Sequence, residues 1–183
     1  PAIAGVEKVI KLDDAVVVVA KGYWQAKKGL DALAPQFSDG GHGALSTATI
    51  FAAQDRLNAE GEALSAPAGG KLVKADYKVP FLHQAMMEPW AMVAHMKDGN
   101  LEAWGGVQDP LSTRKLLAKA ADIGEGNVTF HPLIMGGGFG RRFPDYSQII
   151  PQIAQVAKQL PYPVKLIWSR EEEIRHGAYR PQV

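Results

Sequence analysis

The sequence predicts a mixed α+β fold with a partly antiparallel sheet, on three observations. Apolar runs of strand length recur along the chain, among them Ala15–Ala20, Val128–Ile134 and Val164–Trp168. Lys97-Asp98-Gly99-Asn100 lies between two further runs, and Asp-Gly in that setting is a hairpin signal. Between the strands stand stretches with apolar residues at helical spacing, clearest in Ile149, Ile150, Ile153, Val156, Ala157 and Leu160. No internal repeat is present.

Taken in order, Val6–Leu12 alternates in part and Ala15–Ala20 is a continuous run, mostly valine, suited to a central strand, with Asp13-Asp14 turning between them. Tyr23 to Leu33 has helical spacing with its lysines outward. Two strands and one helix are too little for a core alone. Ser38–Gly43 is a turn cluster, Ser46 or Thr47 caps a helix from Ala48 to about Gly61, and Ser65–Gly70 is a short linker. That helix carries Ile50, Phe51, Ala53 and Leu57 as its apolar stripe.

A second unit begins at Lys71, where Lys71–Pro80 alternates as a strand does. Pro89–Met96 and Leu101–Val107 form the hairpin. Asp109-Pro110 then pairs an N-cap with proline at the first helical position. The helix it opens carries Leu111, Leu116, Leu117, Ala120 and Ala121 and stops at Gly124. The helix after Pro144 contains Pro151, expected to kink it. Gln159–Pro163 ends that helix, Val164–Trp168 is the last strand, and Ser169–Glu173 reads as a capped, solvated acidic helix start.

Bulk properties narrow the function. The chain has 183 residues, 46% of them hydrophobic, and a formal net charge of +1, which lacks the basic excess of a nucleic-acid binder. It has no cysteine, so no disulfide, thiolate zinc site or iron–sulfur cluster is built from it. No apolar run reaches the ~18 residues of a membrane span. No cleavable signal is recognisable at Pro1, and the chain stops at Pro181-Gln182-Val183 after a helical segment, so an excerpt of a longer polypeptide is expected.

One stretch stands apart: Met135-Gly136-Gly137-Gly138-Phe139-Gly140-Arg141-Arg142, between a strand and a helix. Four glycines in five positions permit positive φ and close approach to the backbone N–H groups. Such a loop suits an oxyanion or phosphate, and a tight packing turn is the other reading. No Gly-Lys-Ser/Thr follows, and Arg141 stands where a G-x-G-x-x-G needs its last glycine.

Gly-Gly-Gly-Phe-Gly after a strand, with Met87-Glu88-Pro89 upstream and Ser169–Glu173 downstream, resembles the molybdopterin-binding subunit of the xanthine dehydrogenase and aldehyde oxidase family. The Gly-Phe-Gly-Arg-Arg form is most similar to the isoquinoline 1-oxidoreductase β-subunit branch. The resemblance implies residues 1–37 as the tail of a hammerhead-like α/β domain, 38–70 as a helical connector, and 71–183 as the first part of a molybdopterin-binding domain. It implies molybdopterin cytosine dinucleotide as cofactor, held across several domains and not retained by this piece alone. Gly137, Gly138, Phe139, Gly140 and Arg141, with Gln108 of Gly-Val-Gln-Asp-Pro, become the expected cofactor-binding residues. Phe139 would also wall the substrate channel. Implied partners are a separate iron–sulfur subunit, the remainder of the large subunit, and a small aromatic heterocycle or aldehyde.

Departures from the family pattern refine this. Phe143 stands where purine oxidisers carry a hydrogen-bonding glutamate, which favours an apolar heterocycle or aldehyde. Arg141 and Arg142 either touch cofactor phosphates or are solvated. Gln84, not His83, falls at the family's histidine spacing from Glu88, and Glu88 is read as a structural pairing residue. No histidine pair has ligand spacing, so no protein ligand to a metal is expected. The family's general-base glutamate lies far downstream and nothing after Gly140 matches its context, so no catalytic residue is assigned and the chain is expected to be inactive alone. The competing reading is a standalone α/β module that binds a small anion or a partner protein through its glycine loop. Export by a twin-arginine signal and a cytoplasmic location both stay open.

Overall fold

The computed structural model of the chain describes residues 3–61 and 64–181, so Pro1 and the closing Gln182-Val183, on which the reading of the chain ends rests, lie outside them. Two compact units emerge. One joins the residues up to Pro35 with Gln84–Ala178, and the other joins Gln36–His83 with the residues from Tyr179.

The larger unit is built on a four-stranded mixed sheet. β3 (Ala91–Lys97) and β4 (Asn100–Gly105) form the hairpin, with Asp98 and Gly99 both at positive φ as a tight two-residue turn requires. β5 (Val128–Pro132) lies parallel to β4, and β6 (Val164–Ile167) antiparallel to β3, giving the order β5-β4-β3-β6. The parallel pair needs a crossover, which α3 (Pro110–Ala121) supplies. The Asp109 carboxylate caps α3 by accepting the Ser112 N–H at 3.0 Å, and that bond holds its carboxyl below the usual range. The stabilisation is present at neutral pH and is lost as acid carries the pH through that lowered value. α3 ends at Asp122, itself in the left-handed region, and not at Gly124.

In-register pairs Met92–Gly105, Ala94–Ala103 and Met96–Leu101 put one face of the sheet against α3 and α4 (Ile149–Ala157). α3 contributes Leu117, Ala118 and Ala121 to that core; Leu111, read as part of its stripe, points to solvent at 71% exposure. α4 buries residues on all sides because a second layer covers its far face. That layer is a hairpin of β1 (Val6–Lys11) and β2 (Val16–Ala20), whose Ile10, Leu12 and Val19 meet Val156 and Leu160.

β2 is not the central strand its valine run suggests, since among the described residues its sheet has two strands. Its continuous apolar character has another cause: α4 lies on one face and α1 (Tyr23–Leu33) on the other. A bulge between Val6 and Lys8 turns Val6 toward α1 while Ile10 faces α4. Gly29 of α1 lets the helix approach, as a Cβ there would lie 2.8 Å from Val18. Within this stack one polar chain is satisfied: Trp168 Nε1–H donates to Gln152 Oε1 at 3.1 Å, and Gln152 donates to Asp14 at 3.0 Å.

Pro151 does not kink α4. The helix begins at Ile149, so Pro151 sits in its first turn, where an N–H has no intrahelical partner to lose. After β6, Ser169 caps α5 (Arg170–Arg175), and the smaller unit holds α2 (Thr47–Ala59). Of the acidic run there, Glu173 is not solvated: it is fully buried and paired with Arg170 at 2.7 Å.

In the smaller unit Ser46 and Thr49 form a reciprocal capping box at the start of α2, yet α2 buries no residue. Lys71–Pro80 is not a strand. It has no ladder partner among the described residues, and both of its alternating sets, Val73 and Tyr77 included, are exposed. Alternation specifies a strand only where one face has something to bury against. Leu82 and Arg180 exchange backbone hydrogen bonds of 3.4 and 2.8 Å as an isolated bridge. No helix among the described residues is long and apolar enough to cross a membrane.

This packing separates two leucine-sized positions. Ile153→Ala, at a fully buried site, should cost about 2–5 kcal/mol, whereas Leu111→Ala should stay within about 0.5 kcal/mol. Urea denaturation with unchanged slope would check both.

Candidate functional site

The glycine loop leaves β5 at Pro132 and runs beside the exit of β4, where it is held from both ends. At its start, Gly136 N–H donates to Glu88 Oε2 at 2.7 Å, and Glu88 N–H donates back to the Gly136 carbonyl at 3.4 Å. At its end, Gln108 Oε1 accepts two N–H groups, from Gly140 at 3.0 Å and Arg142 at 3.2 Å. Gln108 N–H completes the clamp by donating to the Arg142 carbonyl at 3.0 Å. The sequence-expected Gln108 and Gly140 are therefore in direct contact.

Between the clamps the loop is tight. Arg141 N–H donates to the Gly138 carbonyl at 2.8 Å. Gly137, Phe139 and Gly140 take φ of +98°, +51° and +86°, a strained setting for the one side chain among them. Phe139 nonetheless projects to solvent at 61% exposure. Space explains two of the glycines: a Cβ on Gly136 would lie 2.6 Å from Glu88 Cβ, and one on Gly138 would lie 2.6 Å from Gln108 Oε1. The N–H groups of Gly137 and Gly138 make no hydrogen bond among the described residues, and neither does the Gln108 amide nitrogen.

Neither arginine is solvated; both side chains are fully buried. Arg142 lies over Trp90 with 4.4 Å from its guanidinium carbon to the ring centroid, and pairs with Glu88 at 3.1 Å. Burial draws its pKa down, while Glu88 and Glu173 pull it back up. Arg141 turns the other way. Its guanidinium donates to the carbonyls of Tyr146 and His176 and lies over Trp168. Gly177 makes room for it, since a Cβ there would sit 2.3 Å from Arg141 Nη2. Trp90 and Gly177 are not legible in the sequence because their roles arise only where distant segments meet; the Met-Glu-Pro-Trp run is the one available signal for Trp90.

The histidines lie apart. His131 bonds Glu102 at 2.9 Å and stacks on Trp104 at 5.1 Å, both on β4. His176 Nε2 pairs with Glu172. Among the described residues no three His, Cys, Asp or Glu side chains converge as metal ligands. The loop thus offers hydrogen-bond donors and not a ligand set, which fits a group rich in acceptor oxygens.

Residues 49–183 match the molybdopterin cofactor-binding domain family, and the chain belongs to it, within the xanthine dehydrogenase and aldehyde oxidase group that its motifs resemble. It is 34% identical over 100 residues to the isoquinoline 1-oxidoreductase subunit beta of Brevundimonas diminuta, covering 54% of this chain and 12% of that protein. It is 29% identical over 185 residues to a membrane-bound aldehyde dehydrogenase (pyrroloquinoline-quinone) of Gluconacetobacter polyoxogenes, covering 90% of this chain and 23% of that protein. The chain thus spans less than a quarter of the length of these relatives. In fold it is similar to the Cu,Mo-CO dehydrogenase, with a TM-score of 0.60 at 19% identity, over 97% of this chain and 30% of that one.

The Gln108 clamp is open to test. Gly138→Ala should displace the Gln108 carboxamide and cost about 1–3 kcal/mol through the two N–H groups it leaves unpaired. Amide NMR should show Gly140 and Arg142 losing protection, while Gly126→Ala, where a Cβ meets nothing within 4 Å, leaves them unchanged.

Proposed function

We propose that the chain is part of the large subunit of a molybdenum hydroxylase that oxidises an N-heterocycle or an aldehyde with water-derived oxygen. The observation that carries this reading is a donor-lined glycine loop clamped on a rigid frame, in a chain of the molybdopterin-binding family. Gly137 and Gly138 would hold the cofactor's oxygens through their N–H groups, beside the Gln108 amide nitrogen, with Phe139 next to them, and Gly140 would serve the site by closing the loop onto Gln108, which takes its N–H. Arg141 would serve this set by holding the loop's shape, its N–H being taken by the Gly138 carbonyl and its guanidinium committed to the Tyr146 and His176 carbonyls. Donors fixed in advance bind developing negative charge with little reorganisation. The cofactor favoured is molybdopterin cytosine dinucleotide, which when bound supplies the site's redox capacity.

Phe139, exposed beside the loop, offers a wall for a flat substrate, and Phe143 can accept no hydrogen bond. An apolar heterocycle or an aldehyde suits both, and the names of the two relatives above fall in the same two classes. Glu88 is not free to serve as a base, since it is held by Arg142 and the Gly136 N–H. The base would come from another part of the large subunit, which leaves this chain inactive alone, with electrons passing to an iron–sulfur partner. In this reading residues 1–37 belong to a hammerhead-like domain, 38–70 to a connector and 71–183 to the cofactor domain.

Metal analysis tests the proposal. The product of the complete reading frame, made in a host that synthesises the cofactor, should carry molybdenum, and the 183-residue chain made alongside it should carry none. A reading frame that ends at Val183 with a product free of molybdenum would overturn the proposal and favour a small anion-binding module.

A further inference from the structure

We propose that Arg142 is a positioning residue: it sets the shape of the glycine loop from inside the fold and touches no bound group itself. The inference rests on the reading of the loop as a donor site. Every polar part of Arg142 is turned inward. Nη1 donates to the Gly106 carbonyl at 2.9 Å, Nη2 to the Glu88 carbonyl at 2.8 Å, and Nε approaches Met86 Sδ at 3.4 Å. The backbone N–H and carbonyl of the same residue are both taken by Gln108. One side chain thereby joins three segments: the approach to β3, the exit of β4, and the end of the loop.

The decisive feature is a shared oxygen. Glu88 Oε2 accepts the Gly136 N–H and also pairs with the Arg142 guanidinium, so the first and last residues of the loop meet on one atom. The loop is closed into a ring, and the Gly137 and Gly138 N–H groups are aimed by that closure. Glycines flank the pair on both sides. A Cβ on Gly106 would lie 3.2 Å from Arg142 Nη1, and one on Gly136 would strike Glu88. Lysine cannot replace this arrangement, because a single ammonium cannot reach Met86, Gly106 and Glu88 from one position with a planar fork's geometry.

Hydrogen–deuterium exchange and amide NMR on the 183-residue chain test the proposal. In Arg142→Lys and in Glu88→Gln, amides of residues 133–143 and 86–90 should exchange at least tenfold faster, while those of α4 and of the β3–β4 pairing keep their rates. Titration with inorganic molybdate should shift the Gly137 and Gly138 amides saturably in the wild-type chain, and at least tenfold more weakly in Arg142→Lys. Equal acceleration throughout the core, unchanged loop exchange, or undiminished molybdate binding in the variant would overturn the role of Arg142. A wild-type loop with no molybdate response would instead sink the donor-site reading on which it rests, an outcome distinct from the other three.

Discussion

A buried guanidinium is the constraint around which this fold is arranged. Taking a charge out of water is expensive, and it is tolerated only where a counter-charge and hydrogen-bond acceptors replace the lost hydration. Arg142 has both, in Glu88 and the carbonyls of Gly106 and Glu88, with the face of Trp90 completing its surroundings. Each partner is brought by a different turn of the chain. The geometry of the mixed sheet, which sets β3 beside β4 and returns β5 parallel, is what places those turns together.

The second arginine completes a symmetrical arrangement. Arg141 and Arg142 are adjacent and point into opposite halves of the interior, one toward β3 and β4, the other toward the segment that ends α5. The loop is anchored at its exit by two buried charges and is itself held by the amide of Gln108. Behind it, α4 is covered on one side by the sheet and on the other by the β1–β2 hairpin. A loop with so many glycines would be floppy in isolation. Here its stiffness is borrowed from the layers underneath.

Local signals are legible in this sequence, and signals that depend on a distant partner are not. Asp98-Gly99 specifies its hairpin with four residues, and Asp109-Pro110 specifies a helix start, because the atoms involved are neighbours in the chain. The stripe on α4 was equally legible, since its period is intrinsic to the helix. Lys71–Pro80 has the alternation of a strand but no ladder partner among the described residues, and that cannot be read from the segment itself. Pro151 was legible as a helix breaker, yet its effect depended on where the helix began, set by Ile149. For the site, the loop and Gln108 stood out, whereas the burial of Arg141, Arg142 and Glu173 is a long-range outcome; arginine and glutamate are ordinarily surface residues.

The Gln108 carboxamide has a further implication for what the loop can accept. Its oxygen is shared by two N–H groups, so flipping the amide would set its own N–H₂ against both donors. The group is locked in one sense, and its nitrogen is the half left for anything outside. The polarity of this group is thereby decided by the backbone: at Gln108 a visitor meets an N–H₂ that donates, the oxygen's lone pairs being already taken. Glutamate at this position, nearly the same in shape, would keep the clamp and reverse that polarity. Such a group favours a visitor that accepts a hydrogen bond over one that can only donate.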